Sequence, residues 1–387
     1  MFKEKSIKWN IKSMLSQLVK NKNYTAINRS TTLLFPLSLI LYELPLYLSN
    51  NFFFPALPKI TKSFHVTNAI AQLSIAFWFL GASAFQVMLG PLSNHYGRKK
   101  VLLSGGVLFL CVTLLCSFTH SIIWFLVGRF FQGCVVSTIL IAGYATIHEI
   151  MEREQAVKTI SWMGSITVLA PALGPLLGSL LLQWMNWREL FIASTGFTAL
   201  SLYLLYVFMP DDRFNSEKLH LKKIFFDYQN IFTSLKFWTY TLFFCFLFAS
   251  LMAWDTLSPF YLMNYLKFNL IQFGLMQLLV YGVFILGINL KNLLRYPIEE
   301  IIKGGLFLII IYFSLGLWTL VYLPQHLFLL MGSVLLFCFS TGLIFYSLHR
   351  KAIEMPKAPI STIIAVFSAM MNLFGFLGSL AARRLDF

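Results

Sequence analysis

"PDDRFNSEKLHLKKIFFDYQNIFTSLK", residues 210–236, is the longest polar interruption in a chain of 387 residues. Six apolar segments precede it, at roughly 31–54, 68–92, 101–118, 122–147, 158–183 and 188–209. Five follow, at roughly 237–264, 271–290, 302–323, 326–348 and 359–384. Most are long enough to cross a hydrocarbon core about 30 Å thick as helices. The second half of the interruption puts Leu221, Ile224, Phe225, Tyr228, Phe232 and Leu235 on one helical face, which predicts an interfacial helix in a linker between two bundles. The expected fold is an all-α membrane protein of about eleven transmembrane helices in two pseudo-symmetric bundles.

Composition points the same way. The chain is 58% hydrophobic and 12% charged, with a mean hydropathy of +0.73. A water-soluble globule of that make-up would expose large apolar patches and aggregate. Alternating strands of about ten residues are missing, which argues against an outer-membrane barrel. The net charge of +15 would suggest nucleic acid in a soluble protein, but here its placement gives another reading. With the N-terminus inside, most Lys and Arg fall in the loops on that side, as the positive-inside pattern requires. The basic excess is then a topology signal with a secondary attraction to anionic membrane lipid, and no nucleic-acid partner is expected. The five cysteines, Cys111, Cys116, Cys134, Cys245 and Cys338, lie in apolar runs without metal-ligand spacing and read as small hydrophobes.

Four regions are expected. Residues 1–30 form a basic arm with Ile7, Ile11, Met14, Leu15 and Leu18 on one face, either a helix on the inner leaflet or a partly disordered segment. Residues 31–209 form a six-helix bundle, 210–236 a cytoplasmic linker, and 237–387 a five-helix bundle. Two halves of about six helices are a common build for secondary transporters. The second half is one helix short, so a twelfth helix is expected to be missing, as in a truncated gene product or an unusual topology. No apolar signal segment is present in the first thirty residues.

Three ionisable groups interrupt the apolar runs. Glu43, in "LYELPLYLSNNFFFP" (41–55), stands where a charge costs about 2.5–3.5 kcal/mol on insertion scales. Tyr47 and Asn50 fall within about 40° of it on a helix, with Asn51 at the edge of that face. Pro45 and Pro55 are expected to bend or end the helix. Glu43 is therefore a candidate proton carrier, the alternative being a structural acid satisfied by nearby hydroxyls. Arg129, in "FLVGRFFQG" (125–133), needs a partner or a water-filled cavity, and Glu43 is one candidate. Its depth argues against snorkelling to an interface. Asp255, in "LMAWDTLSP", occupies the seventh span, the two-fold counterpart of the first; either it faces a shared cavity or it is paired locally.

Other chemistry finds no support. "HEIME" (148–152) lacks the second histidine of a zincin helix, and neither a phosphate-binding loop nor a dinucleotide fingerprint is present. No cofactor or metal is expected, and transport would draw on an ion gradient.

"GPLSNHYGRKK" (90–100), "RFFQG" (129–133) and "APALGPLLGS" (170–179), in this order and spacing, resemble the signatures of the major facilitator superfamily, specifically its drug:proton antiporters. "YELPLYLSNN", "FQVMLGPLS", "GYATIHE", "NWRELF" and "LMAWDTLSP" are similar to the MdfA-type multidrug exporters, and the likeness covers most of residues 33–385. The resemblance implies a twelve-helix facilitator fold and a proton-coupled exporter of lipophilic or cationic compounds in the bacterial inner membrane, expected to be a monomer. It implies that Gly90, Asn94, Gly97, Arg98 and Lys99 form a gating loop, and that Glu43, Arg129 and Gly133 serve proton coupling. It also implies that Gly174, Pro175 and Gly178 form the exporter motif of the fifth span. Tyr47, Asn50, Asn51, Phe53 and Met252 are candidates for the substrate cavity, and Asp255 for a second coupling acid. Asn94 stands where the family carries Asp, and Asn51 where it carries a second acid on the first helix. Two other functions remain open: a facilitator-fold exporter of one metabolite, and a non-transporting remnant or sensor.

Overall fold

The computed structural model describes residues 29–211, 221–293, 296–323, 326–356 and 358–383. The expected amphipathic arm and the first half of the linker therefore lie, apart from their edges, outside the described residues. Among the described residues the regular structure is all helical. The first half contains α1 (Arg29–Asn51), a 3-10 turn (Phe54–Ala56), α2 (Leu57–Phe64), α3 (Asn68–Tyr96), α4 (Arg98–Phe118) and α5 (Ile122–Thr138). A π turn (Ile139–Tyr144) leads into α6 (Ala145–Ile150), followed by α7 (Arg153–Leu181) and α8 (Trp187–Phe208). After α9 (Leu221–Phe232) come α10 (Leu235–Ser258), a second π turn (Pro259–Tyr265), α11 (Leu270–Leu293), α12 (Ile298–Tyr322), α13 (Leu327–Glu354) and α14 (Ile360–Ala382).

Ten of these helical stretches are long and apolar enough to cross a membrane by length and composition. Counting α1 brings the long helices to the eleven expected. Pro45 does not end α1: the helix runs through Pro36 and Pro45 to Asn51, and the chain turns only beyond it, where Pro55 sits in the 3-10 turn. The boundaries follow local chemistry. Asn186 closes a capping box with Glu189 at the start of α8, and the Thr67 side chain caps α3. Gly97, at φ 97°, makes the turn from α3 to α4 in backbone space that L side chains rarely adopt.

α1, α3, α4, α5, α7 and α8 pack on one another, as do α10 to α14, and the two sets meet along α3–α14 and α7–α11. Packing within each set repeats. Where α3 crosses α5, a Cβ on Gly81 would land on the Phe130 carbonyl and one on Gly133 on the Trp78 carbonyl. Where α11 crosses α13, Gly287 and Gly342 stand in the same way against the Phe339 and Phe284 carbonyls. Bare backbone on both sides lets the helices approach closely, which matters in lipid because helix association there depends on packing. Between the sets, the Ser83 hydroxyl donates to the Ala369 carbonyl at 2.9 Å, and Phe79 meets Phe248 edge to face.

The two ends of the molecule differ. At one end α2 packs against the second π turn, and the 3-10 turn touches α7 and α11, so the sets are joined. Arg188 braces that end, donating to the Ser63 hydroxyl at 2.8 Å and the Thr119 carbonyl at 2.9 Å. At the other end the described ion pairs, Arg98–Glu149, Lys99–Asp211, Arg350–Glu354 and Lys351–Glu299, each stay within one set or its flanking loop.

The helix crossing gives a direct expectation. Gly133→Ala should force α3 and α5 apart and lower stability by about 1–3 kcal/mol. Gly282→Ala, where an added Cβ meets open space, should leave it unchanged. Thermal unfolding of both variants in detergent distinguishes these outcomes.

Candidate functional site

The centre of the first set is built around Arg129, which is 0% exposed. Its guanidinium donates through Nε to the Ser74 carbonyl at 3.2 Å, through Nη1 to Gln132 Oε1 at 2.8 Å, and through Nη2 to Asn50 Oδ1. Gln132 passes the connection on, its Nε2 donating to the Thr113 hydroxyl at 2.8 Å. One face of the guanidinium lies over the Phe53 ring, 4.6 Å from its centre, a contact worth about 0.5–2 kcal/mol. One cation thus ties α1, α3 and α5 together, with α4 reached through Gln132.

Glu43 is 1% exposed and accepts the Tyr144 hydroxyl at 3.0 Å and 3.2 Å on its two oxygens. Of the two candidate settings for Arg129, a partner or a water-filled cavity, the structure gives partners, and they are the neutral groups of Ser74, Gln132 and Asn50 rather than Glu43. The reason is axial. Asn50 lies two turns beyond Glu43, roughly 10 Å along α1, and the guanidinium docks at the Asn50 level. Tyr144, which the sequence reading missed, ends the first π turn, a local widening often found at functional sites. A phenol inside the apolar run after "RFFQG" was the available signal.

The remaining candidates on α1 diverge. Tyr47 follows Glu43 by one turn. Asn50 turns to Arg129. Asn51 donates its amide to the Tyr47 carbonyl at 2.8 Å, and its Cβ packs where a side chain on Gly174 would have to go. Gly178 faces the Phe52 backbone. Gly174 and Gly178, with Pro175 between them inside α7, thus let α7 approach the end of α1. Phe53 is buried in an aromatic cluster with Phe125 and Phe191, so it packs the interior besides bearing the arginine.

The second set holds its own polar cluster. Asp255 is 1% exposed, and its Oδ2 accepts the hydroxyl of Tyr281. Its Oδ1 is buried without a hydrogen-bond partner. A buried acceptor left this way costs about 1–3 kcal/mol, more if charged. Nearby, Trp254 Nε1 donates to Gln277 Oε1 at 3.1 Å, and Gln277 Nε2 donates to the Ser258 hydroxyl at 2.7 Å. Met252, buried three residues before Asp255, offers its backbone carbonyl to Thr256. The structure therefore gathers Asn50, Phe53 and Arg129 in one cluster, and places Glu43 with Tyr144 and Asp255 with Tyr281.

In the loop candidates, Gly90 and Asn94 have helical backbone in α3, and the Asn94 side chain lies outside the described set. Beyond Gly97, Arg98 pairs with Glu149 at 2.7 Å. Lys99 donates to the Met209 carbonyl and to Asp211, each at 2.8 Å. The Lys99 hydrogen bond and charge hold the Asp211 carboxyl below its ordinary range. The pair therefore contributes above the unfolded carboxyl pKa, and its contribution is lost as pH falls through the lowered value. Among the described residues, no group of three or more His, Cys, Asp or Glu side chains is arranged to hold a metal ion.

The arginine network can be tested alone. Gln132→Leu removes one acceptor of a buried cation and the donor to Thr113, so it should destabilise the protein by at least about 1–3 kcal/mol. Thermal unfolding in detergent reads this, and a melting point equal to wild type would contradict the geometry.

Comparison with known proteins fits this arrangement. The Major Facilitator Superfamily family model matches residues 39–379. The chloramphenicol resistance protein CraA of Acinetobacter baumannii is 35% identical over 92% of this chain and 86% of that relative. The multidrug transporter MdfA of Yersinia pestis is 29% identical over 89% of this chain and 85% of that relative. In fold, the chain is similar to a bacterial homolog of the human lysosomal transporter Spinster in an inward-facing, unoccupied conformation. That match has a TM-score of 0.72 at 14% identity, covering 91% of this chain and 82% of the other. A buried cation and two buried acids in a bundle of apolar helices, with this match over most of the length, have one family conclusion: the chain belongs to the major facilitator superfamily, a membrane transporter rather than an enzyme.

Proposed function

We propose that this protein exports lipophilic drugs in exchange for protons across the bacterial inner membrane. The observation that carries this reading is Glu43, a carboxylate buried at mid-helix whose described hydrogen-bond partner, Tyr144, is a neutral hydroxyl. A phenol can hold a carboxyl in either protonation state, since its hydroxyl can donate to the ionised form and donate to or accept from the neutral one. The nearby cation is already satisfied by Asn50, Gln132 and the Ser74 carbonyl. The names of the relatives, a chloramphenicol resistance protein and a multidrug transporter, support a drug as cargo.

In this reading residues 31–209 and 237–387 move as two bundles joined by the 210–236 linker, with the N-terminus in the cytoplasm. The joined end of the molecule is then periplasmic, and the structure corresponds to an inward-facing state. Arg98 and Lys99 anchor the cytoplasmic loop after α3, together with Gly90, Asn94 and Gly97. Gly174, Pro175 and Gly178 seal α7 against α1. Tyr47, Asn50, Asn51, Phe53 and Met252 contribute to the drug's surroundings. Drug and proton shift the balance between states only through their different affinities for each. Competition for Glu43 supplies that difference: the protonated acid is the form in which the empty carrier turns over, and drug binding displaces the proton.

Efflux from inverted vesicles tests this. A fluorescent lipophilic cation and a neutral drug should both be moved by wild type only when a proton gradient is imposed. Glu43→Gln should reduce gradient-driven efflux to the background of protein-free vesicles. Efflux in Glu43→Gln that still follows the gradient would sink the assignment.

A further inference from the structure

Among the described residues, Tyr144 with Glu43 is one of two pairs in which a phenol donates to a buried carboxyl. The other, Asp255 with Tyr281, lies in the opposite half of the molecule, on α10 and α11. Two features set it apart from a structural acid. First, an acid that only braces helices has both oxygens hydrogen-bonded, whereas Asp255 Oδ1 is buried and unpartnered. Second, its polar neighbours are engaged with one another: Gln277 uses its carbonyl for Trp254 and its amide for Ser258. Oδ1 has no structural task in this arrangement.

The electrostatic surroundings are sparse. Among the described residues no Lys, Arg or His forms an ion pair with Asp255. Of the elements packed on α10, α11 brings Tyr281 and α13 brings Cys338, while His349 of α13 packs on Phe244, about three turns from Asp255 along α10. α14 carries no titratable side chain between Ile360 and Ala382. The charged and titratable residues of α9 (Lys222, Lys223, Asp227, Tyr228) and of the end of α3 (His95, Tyr96) lie outside the apolar spans. The second π turn, which begins four residues after Asp255, carries Tyr261 and Tyr265.

We propose that Asp255, positioned by Tyr281, is a second proton-exchange site, so that one turnover returns one proton more than Glu43 alone carries. This rests on the antiport reading. The chemistry is a single O–H bond at Oδ1. It forms with a proton taken from water on the periplasmic side and breaks to give that proton to water on the cytoplasmic side. Tyr281 keeps its own proton throughout and donates to Oδ2, which leaves Oδ1 as the exchanging atom. Tyr281 is a positioning residue.

The coupling number is measured on full-length protein in liposomes, with the membrane potential clamped at zero. The probe is chloramphenicol or tetraphenylphosphonium, whichever is moved against the imposed pH difference. For each pH unit, exchange with two protons should come to rest at about a hundredfold substrate gradient, and with one proton at about tenfold. Wild type should reach about a hundredfold, and Asp255→Asn, which keeps an acceptor for Tyr281, about tenfold. Tyr281→Phe is the second variant. It should keep the hundredfold resting ratio while shifting the pH dependence of the exchange rate, an effect that loss of packing alone would not produce. A wild-type ratio of tenfold, an Asp255→Asn ratio equal to a hundredfold wild type, or an unshifted Tyr281→Phe profile overturns the second site while antiport stands. A wild type that exchanges neither probe for protons overturns the antiport reading, and the second site with it.

Discussion

A guanidinium whose described hydrogen-bond acceptors are all neutral fixes the first half of the molecule. Arg129 is fully buried, and removing a cation from water is costly unless each of its three nitrogens finds an acceptor. Ser74, Gln132 and Asn50 meet them from three positions on three helices, and Phe53 covers one face. Each of these groups can act only if α1, α3 and α5 hold their present register. The glycine contacts between α3 and α5 serve the same end, bringing the helices close enough for a single side chain to span them. Had Glu43 been the counter-ion, proton exchange at that acid would have removed the arginine's partner at every cycle. With neutral acceptors, the scaffold keeps its hydrogen bonds whatever the state of the acid.

The two halves divide the work differently. The first combines a fixed cation with an acid that meets a phenol at a π turn. The second has no buried cation beside its acid among the described residues, and its amide, indole and hydroxyl groups satisfy one another. Close glycine crossings recur in both, so the scaffolds are alike while the polar interiors are not. An alternating carrier has a physical use for that asymmetry, because a site that binds equally in both states cannot bias the equilibrium between them.

Much of this was legible in the sequence, for a definite reason. Glu43, Arg129 and Asp255 stand out because a charge in an apolar run is costly and rarely accidental. The helices were legible for the same reason in reverse, since long uninterrupted apolar runs have few other solutions in a membrane. Partnerships were less legible. Helical periodicity puts Glu43, Tyr47 and Asn50 on one stripe, but it does not say that Asn50 reaches Arg129 while Glu43 meets Tyr144. That depends on how α5 and the π turn pass α1, which no local pattern encodes. Of the two outcomes expected at Pro45, a bend or an end, the structure excludes the end, because a helix held by neighbours on several sides can run through a proline. The pairing of Asp255 with Tyr281 needed the register of α10 against α11, although both residues are visible as polar positions in apolar runs.

The central claim is that Glu43 holds a proton which leaves when drug binds, while Arg129 stays with its neutral partners. Infrared difference spectroscopy of purified protein, recorded as a lipophilic drug is added at neutral pH, tests it most directly. With Asp255→Asn as the common background, the account predicts loss of a protonated-carboxyl band and gain of a carboxylate band when Glu43 is present, with both changes absent when Glu43→Gln is added in a protein that still binds drug. A difference spectrum in which the same carboxyl bands change with and without Glu43 would contradict it.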